Sequence, residues 1–272
     1  MTNRLPLLAF AIILGLLVFL VGSSGDLRHG FADRGEKFYY FNPDSPQSNM
    51  SRLKVEMDSF LKEANFAFSF TPFARFSDFD RLSKVVPPNF VLLPQWYFEE
   101  NREKMQFIPL LIPTRNGTTS YRKLLLTSKN SDTTLSTLSK RTIAMTFLGT
   151  DGYSGLGKLL LAQHHINVND VNIIVTPKDS DALFALVLGQ VDMALVSEEN
   201  LASIGKVNPI ISESVRTLTE TIPISLPVLC YRKGTITLEK VEEMKKLFLG
   251  SNKKAVAIMD ILQFDGWQEY YN

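Results

Sequence analysis

The stretch FYYFNPDSPQSNMSRLKVEMDSFLKEANFAFSF, residues 38–70, decides how this chain folds. Phe38 to Phe41 is a short aromatic run of strand type, closed by Asn42-Pro43-Asp44-Ser45-Pro46. The same turn signals a helix start, with Ser45 as N-cap and Pro46 at the first helical position. Met50, Leu53, Met57, Phe60, Leu61 and Ala64 then recur at helical spacing and give that helix one apolar face. Phe66, Phe68 and Phe70 alternate as the next strand. A helix over Ser77–Leu82 and a strand over Phe90–Leu93 extend the unit to β-α-β-α-β, which predicts parallel strands joined by right-handed crossovers.

Outward from this unit the pattern repeats. Strands are predicted over Phe107–Ile112 and Arg122–Thr127, with a turn at Asn116-Gly117 between them. A second series follows: strand Thr142–Met145, helix Ser154–His164, strand Val171–Val175, helix Asp181–Leu188 ended by Gly189, and strand Met193–Val196. Ser197 caps a helix whose first turn carries Glu198 and Glu199, as the helix dipole favours. Strands Val215–Leu218 and Leu226–Tyr231 and helices Leu238–Leu249 and Ser251–Leu262 complete the chain. Two such series, crossed near Thr127–Asp132 and again near Glu220–Ile224, predict an α/β protein of two lobes. Each lobe is expected to be a mainly parallel sheet flanked by helices, with a two-segment hinge between them. Residues 38–129 and 222–272 are expected to form lobe 1 and residues 130–221 lobe 2. A ligand would lie between them, at strand ends and helix starts, and closure around it is the expected motion.

Composition is that of a globular protein: 272 residues, 45% hydrophobic and 21% charged. Its 29 basic and 28 acidic residues give a net charge of +1, which leaves no electrostatic footprint for nucleic acid. Arg4 and the apolar run Leu5–Val21, followed by Gly22-Ser23-Ser24-Gly25, read as a signal peptide or signal anchor over residues 1–25, with 26–37 as a spacer. Either form places the remainder in the periplasm or otherwise outside the cytoplasm, cleaved free or membrane-tethered. The single cysteine, Cys230, sits in an apolar strand and reads as a buried structural thiol.

The strongest local feature is Thr150-Asp151-Gly152-Tyr153-Ser154-Gly155-Leu156-Gly157, between a strand and a helix. Such a turn can aim backbone N–H groups at a bound anion, or it can be a tight turn with Asp151 as N-cap. A hydrolase elbow, G-x-S-x-G, would need glycine at Leu156. The dinucleotide fingerprint is also absent, since the glycines run G-x-x-G-x-G. His164 and His165 are adjacent on a predicted helix end and project apart, so they make a poor pair of metal ligands. No metal, cofactor or catalytic residue is expected, and an enzyme is not.

Four stretches carry a family resemblance over most of Phe38–Leu262: Leu92-Leu93-Pro94-Gln95-Trp96-Tyr97-Phe98, Tyr153-Ser154-Gly155, Ala185–Ala194 (ALVLGQVDMA) and Ile222-Pro223. On these the chain resembles the phosphate/phosphonate-type solute-binding proteins of ABC transporters, which have the type II periplasmic-binding-protein fold. The resemblance implies a monomer that traps a small molecule and presents it to a membrane permease. It places Tyr97, Ser154 and Asp192 at ligand-facing positions. Gly152, Phe76 and Ser180 stand where the family often has Ser, Tyr and His, and each change removes a donor to an oxyanion. A second reading therefore stays open. Tyr40, Phe73, Phe76, Trp96, Tyr97 and Tyr153, with Asp151 and Asp192, could cage an organic cation. The candidate ligand-binding residues are Tyr40, Phe76, Trp96, Tyr97, Asp151, Tyr153, Ser154, Gly155 and Asp192, for an oxyanion such as phosphate or phosphonate or for an organic cation. The same fold could alternatively serve as a sensing or interaction module coupled to a membrane signalling protein.

Overall fold

The computed structural model describes residues 35–45, 49–250 and 253–271. The apolar N-terminal segment, most of the expected spacer and Pro46 lie outside them. In chain order the elements are β1 (Glu36–Phe41), α1 (Met50–Glu63), β2 (Phe68–Phe73), α2 (Phe76–Val85), β3 (Phe90–Leu93), α3 (Gln95–Met105), β4 (Phe107–Thr114), β5 (Ser120–Tyr121), β6 (Lys123–Ser128), β7 (Thr142–Met145) and α4 (Ser154–Leu159). They continue with β8 (Asn172–Val175), α5 (Asp179–Val187), β9 (Met193–Ser197), α6 (Glu198–Val207), α7 (Pro209–Glu213), β10 (Val215–Glu220), β11 (Ile224–Ser225), β12 (Val228–Arg232), α8 (Leu238–Leu249), α9 (Lys253–Leu262) and β13 (Gly266–Glu269).

The strands form two main sheets, β13-β4-β12-β3-β1-β2 and β10-β6-β9-β7-β8. Each has a parallel trio, β2-β1-β3 in one and β8-β7-β9 in the other. Against each trio lies one antiparallel strand, β12 or β6, and that strand is the first to enter its sheet from the other lobe. Strand direction is thus mainly shared, as expected, but the hydrogen bonding is mixed. The physical reason is that a chain arriving from the opposite lobe enters at the hinge end and must run back down the sheet. The strand predicted over Arg122–Thr127 accordingly belongs to the second sheet, between β9 and β10, and not to lobe 1. Between the two sheets β5 and β11 pair antiparallel through Ser120–Ser225 and Tyr121–Ile224, tying the two crossing segments together.

The aromatic run of β1 is buried on both faces, because successive side chains alternate across a strand. Phe38 and Tyr40 join a cluster with Phe70, Met57 and Phe248, while Tyr39 and Phe41 join Phe79, Tyr97 and Phe98 on the other side. The second sheet is likewise covered on both faces, by Leu156 and Leu160 on one and Leu183 and Leu186 on the other. Cys230 lies fully buried beside Val228 in the first lobe, and burial pushes its thiol well up.

Helix α1 is capped by Asn49, whose side chain accepts from the Arg52 N–H at 2.8 Å. Ser45, expected to cap it, instead closes a turn with its N–H on the Asn42 carbonyl at 3.2 Å. The helix predicted over Ser154–His164 is α-helical only to Leu159 and continues as a 3-10 turn over Leu161–His164. His164 Nε2 meets Thr219 Oγ1 at 3.0 Å, and His165 takes a left-handed conformation at φ 55°. Helix α3 and strand β13 had no counterpart in the sequence reading. β13 covers the edge of β4, and Trp267 packs edge-on to Phe248 with ring centroids 5.0 Å apart.

Candidate functional site

Side chains from both sheets' surroundings meet at the carboxyl ends of the parallel strands. Trp96, at the start of α3, packs against the apolar clusters of both lobes. Phe76 and Phe147 meet with tilted rings at 4.5 Å between centroids, one from α2 and one from the loop after β7. Glu100 accepts from the Thr150 N–H at 3.0 Å and from its hydroxyl at 2.6 Å. Arg115, beyond β4, reaches Glu199 of α6 at 3.5 Å. A cavity of about 440 Å³ opens beside Trp96 and Glu100. Gln95, Trp96 and Glu99 line it from α3, Ser154 and Lys158 from α4, and Pro223 from the returning hinge segment.

Of the residues singled out in the sequence, Trp96, Ser154 and Gly155 lie on this cavity, as do Ile222 and Pro223. Phe76 is beside it, tilted against Trp96 and edge-on to Tyr97. Tyr40 and Tyr97 are not in the cleft but fully buried in the first lobe. Tyr97 donates to Asp80 at 3.2 Å, and burial together with that carboxylate pushes its phenol well up. Phe73 is also core. Asp192 sits at the amino end of β9, the opposite end of the sheet from the cleft. There it accepts from Arg141 at 3.0 Å and from the Thr142 N–H at 2.8 Å. With Tyr40, Tyr97 and Asp192 removed, the aromatic cage is not assembled.

The glycine-rich turn is spent on itself. Asp151 Oδ1 accepts from the N–H groups of Tyr153 and Ser154 at 3.0 and 2.8 Å. These bonds outweigh a slight desolvation and hold the Asp151 carboxyl below its ordinary range. The Gly155 N–H donates to the Leu148 carbonyl, and that of Leu156 to Tyr153. A Cβ on Gly155 would stand 2.7 Å from the Leu148 oxygen, so glycine is required by packing. Gly152, at φ 100°, lets the loop double back so that its carbonyl receives the Leu148 N–H. The carboxylate at this helix start comes from the chain itself, and Tyr153 is half out in solvent.

A second polar centre escaped the sequence reading. Lys123 opens β6 with its ammonium wholly buried, 2.7 Å from Asp44 and 2.9 Å from Asp179. Thr146, just beyond β7, accepts from Lys123 at 2.5 Å and donates to Asp44 at 2.5 Å. The Tyr121 hydroxyl also donates to Asp44. Asp179 accepts from the Ser197 N–H at 2.7 Å and from Asn200 at 3.2 Å, while Asn200 also donates to the Asp44 carbonyl at 3.0 Å. Burial pulls the Lys123 ammonium down, but the two carboxylates hold it above its ordinary value. Burial pushes Asp44 up, yet Lys123, Thr146 and Tyr121 bring it below the ordinary carboxylate range. Asp179, desolvated and beside Asp44, is pushed up to about 6 although Lys123 opposes this. A lysine heading an apolar strand and an acid in a helix's first turn read as a strand-edge charge and a cap. Only tertiary proximity turns them into a cluster.

Residues 90–271 match the family of the periplasmic substrate-binding protein of ABC phosphonate transporters. The chain matches no curated protein sequence. Among solved structures it is similar to a binding protein component of an ABC phosphonate transporter from Pseudomonas aeruginosa, at 14% identity and a TM-score of 0.71, covering 86% of this chain and 81% of that one. PhnD1 from Prochlorococcus marinus, in complex with methylphosphonate, gives 13% identity and a TM-score of 0.71 over 86% and 92% of the two chains. An ancestral arginine-binding protein bound to arginine gives 16% identity and a TM-score of 0.55 over 84% and 97%. At these identities the likeness to each structure is one of fold.

Proposed function

Because the chain belongs to the family of periplasmic substrate-binding proteins of ABC phosphonate transporters, we propose that it is an extracytoplasmic receptor that holds a small molecule between its lobes and presents the closed form to a membrane permease. The lobes of this reading are residues 36–121 with 224–269, and residues 123–221, hinged where β5 pairs with β11. The observation that carries it is the cavity of about 440 Å³ lined from α3, α4 and the hinge together. A ligand there touches both lobes at once, and a molecule that binds the closed arrangement better than the open one shifts the population toward closure. Cavities of roughly 300–1,000 Å³ suit small metabolites. Trp96 offers an apolar face, Glu99 and Lys158 offer charges of both signs, and Ser154 and Gln95 offer neutral hydrogen bonds.

A second reading, the same fold coupled to a membrane signalling protein, is favoured by the number of lobe-to-lobe contacts made by the chain's own side chains. The test common to both is titration of the full chain with phosphonates, phosphate, amino acids and quaternary amines, followed by calorimetry and melting temperature. One class is expected to saturate a single site, with affinity falling at least about tenfold, or ~1.4 kcal/mol, in Trp96→Ala. Affinity unchanged in both Trp96→Ala and Ser154→Ala would move the site elsewhere, and silence across the panel would remove the receptor reading.

A further inference from the structure

The groups around the Asp44 carboxylate are those a bound anion requires. They are a buried ammonium from Lys123, a hydroxyl from Thr146 at the carboxyl end of β7, and a hydroxyl from Tyr121 in the hinge. This is the crevice where open α/β sheets receive their ligands. Asp44 itself comes from the loop after β1, in the other lobe, and its main-chain carbonyl is held in turn by Asn200 of α6. The carboxylate therefore joins the lobes across the crevice, at a place separate from the cavity that Trp96 and Ser154 line. Within the cluster one ammonium already faces two carboxylates, Asp44 and Asp179. An incoming oxyanion would add charge of the same sign in a desolvated site, and Arg115, the further cation that acts on Tyr121, is already paired with Glu199 at 3.5 Å. The N–H groups at the start of α4 are likewise taken by a carboxylate of the chain, Asp151.

We propose that Asp44 is a built-in ligand, whose carboxylate occupies an anion cradle formed by Lys123, Tyr121 and Thr146, draws the lobes together and excludes phosphonates and other oxyanions from that position. This rests on the reading of the two lobes as closing units. It makes closure partly independent of any ligand in the cavity that Trp96 and Ser154 line.

The test uses the full chain, wild type and Asp44→Gly, with formate, acetate, inorganic phosphate and methylphosphonate as probes. Melting temperature and small-angle X-ray scattering are the readouts. Wild type is expected to be compact without ligand and indifferent to all four anions beyond the effect of equal chloride. Asp44→Gly is expected to melt lower, to expand, and to regain both melting temperature and compactness when formate or acetate fills the vacated cradle. Adding Lys123→Met to Asp44→Gly is expected to abolish that rescue. Where Asp44→Gly does not fold, Asp44→Ser, which keeps a hydroxyl for Tyr121, carries the same comparison. Methylphosphonate or phosphate binding to wild type that is lost in Lys123→Met would overturn the proposal, since the cradle would then be open. So would a folded Asp44→Gly that none of the anions restores. If anions rescue the melting temperature while scattering never changes, Asp44 still fills an anion cradle, but the lobes do not move and the closing-receptor reading fails instead.

Discussion

Lys123 is fully buried with two acids for company, and its removal is expected to be costly. Lys123→Met strands two carboxylates in the interior, at a cost of about 3–5 kcal/mol near neutral pH. Lowering the pH should recover part of that loss, because protonation removes the unpaired charge; urea denaturation at two pH values measures both effects. Asp179 makes a separate pH prediction. Folded, it keeps its proton up to about pH 6, whereas its ordinary value is 3.8. The native state thus binds the extra proton between those values. The stabilisation is complete below the lower value and is lost as pH rises through about 6. Asp44 works in the opposite sense: its depressed carboxyl supports the fold above its ordinary value and fails only at lower pH. Asp179→Asn is therefore expected to flatten the decline in stability from about pH 4 to about pH 6 while leaving the acid limb. Persistence of the decline in that variant would assign it to another group.

At the scale of elements, the glycine-rich turn takes the second of its two expected forms, a tight turn closed by Asp151. Gly152, Ser154 and Gly155 do make a tight strand-to-helix connection, but their N–H groups are satisfied by Asp151 and by the loop's own carbonyls. Gly155→Ala would drive a methyl into the Leu148 oxygen and is expected to destabilise by about 1–3 kcal/mol, read by chemical denaturation. A ligand role alone would lower affinity and leave stability intact. Helix α3 was invisible for a related reason. Its Gln95–Met105 sequence is polar overall and starts after Pro94 with no side-chain cap, so periodicity had little to detect. Yet it delivers Gln95, Trp96 and Glu99 to the cavity. By contrast, Thr142–Met145 and Leu238–Leu249 were legible to the residue, the first as a short continuous apolar run buried on both faces and the second by its helical apolar spacing.

Over the whole molecule, the two sheets share one plan: a parallel trio with the strand from the other lobe laid antiparallel beside it. That plan makes each lobe depend on the other for a strand's entry, and Trp96 packs into both cores at the junction. Trp96→Ala is expected to cost about 3 kcal/mol. It should also raise amide exchange around β5 and β11, where the lobes are joined. Exchange confined to α3 would mean that the indole supports only its own lobe.

The sequence by itself determined the two α/β series, the identity of most strands and helices, the family resemblance and the burial of Cys230. The elements and the thiol's burial follow from local spacing, capping chemistry and apolar content, which act over a few residues, while the resemblance rests on the four stretches that carry it. Tertiary structure alone decided that Tyr40 and Tyr97 face inward, that Asp192 lies at the far end of its sheet, and that β6 crosses into the second lobe. It also decided that Asp44, Lys123, Thr146 and Asp179 meet. These four come from segments up to 135 positions apart in the chain. Charges so distant are brought within hydrogen-bond reach only when the strand ends of the two sheets face one another across the hinge, and a linear pattern carries no record of that approach.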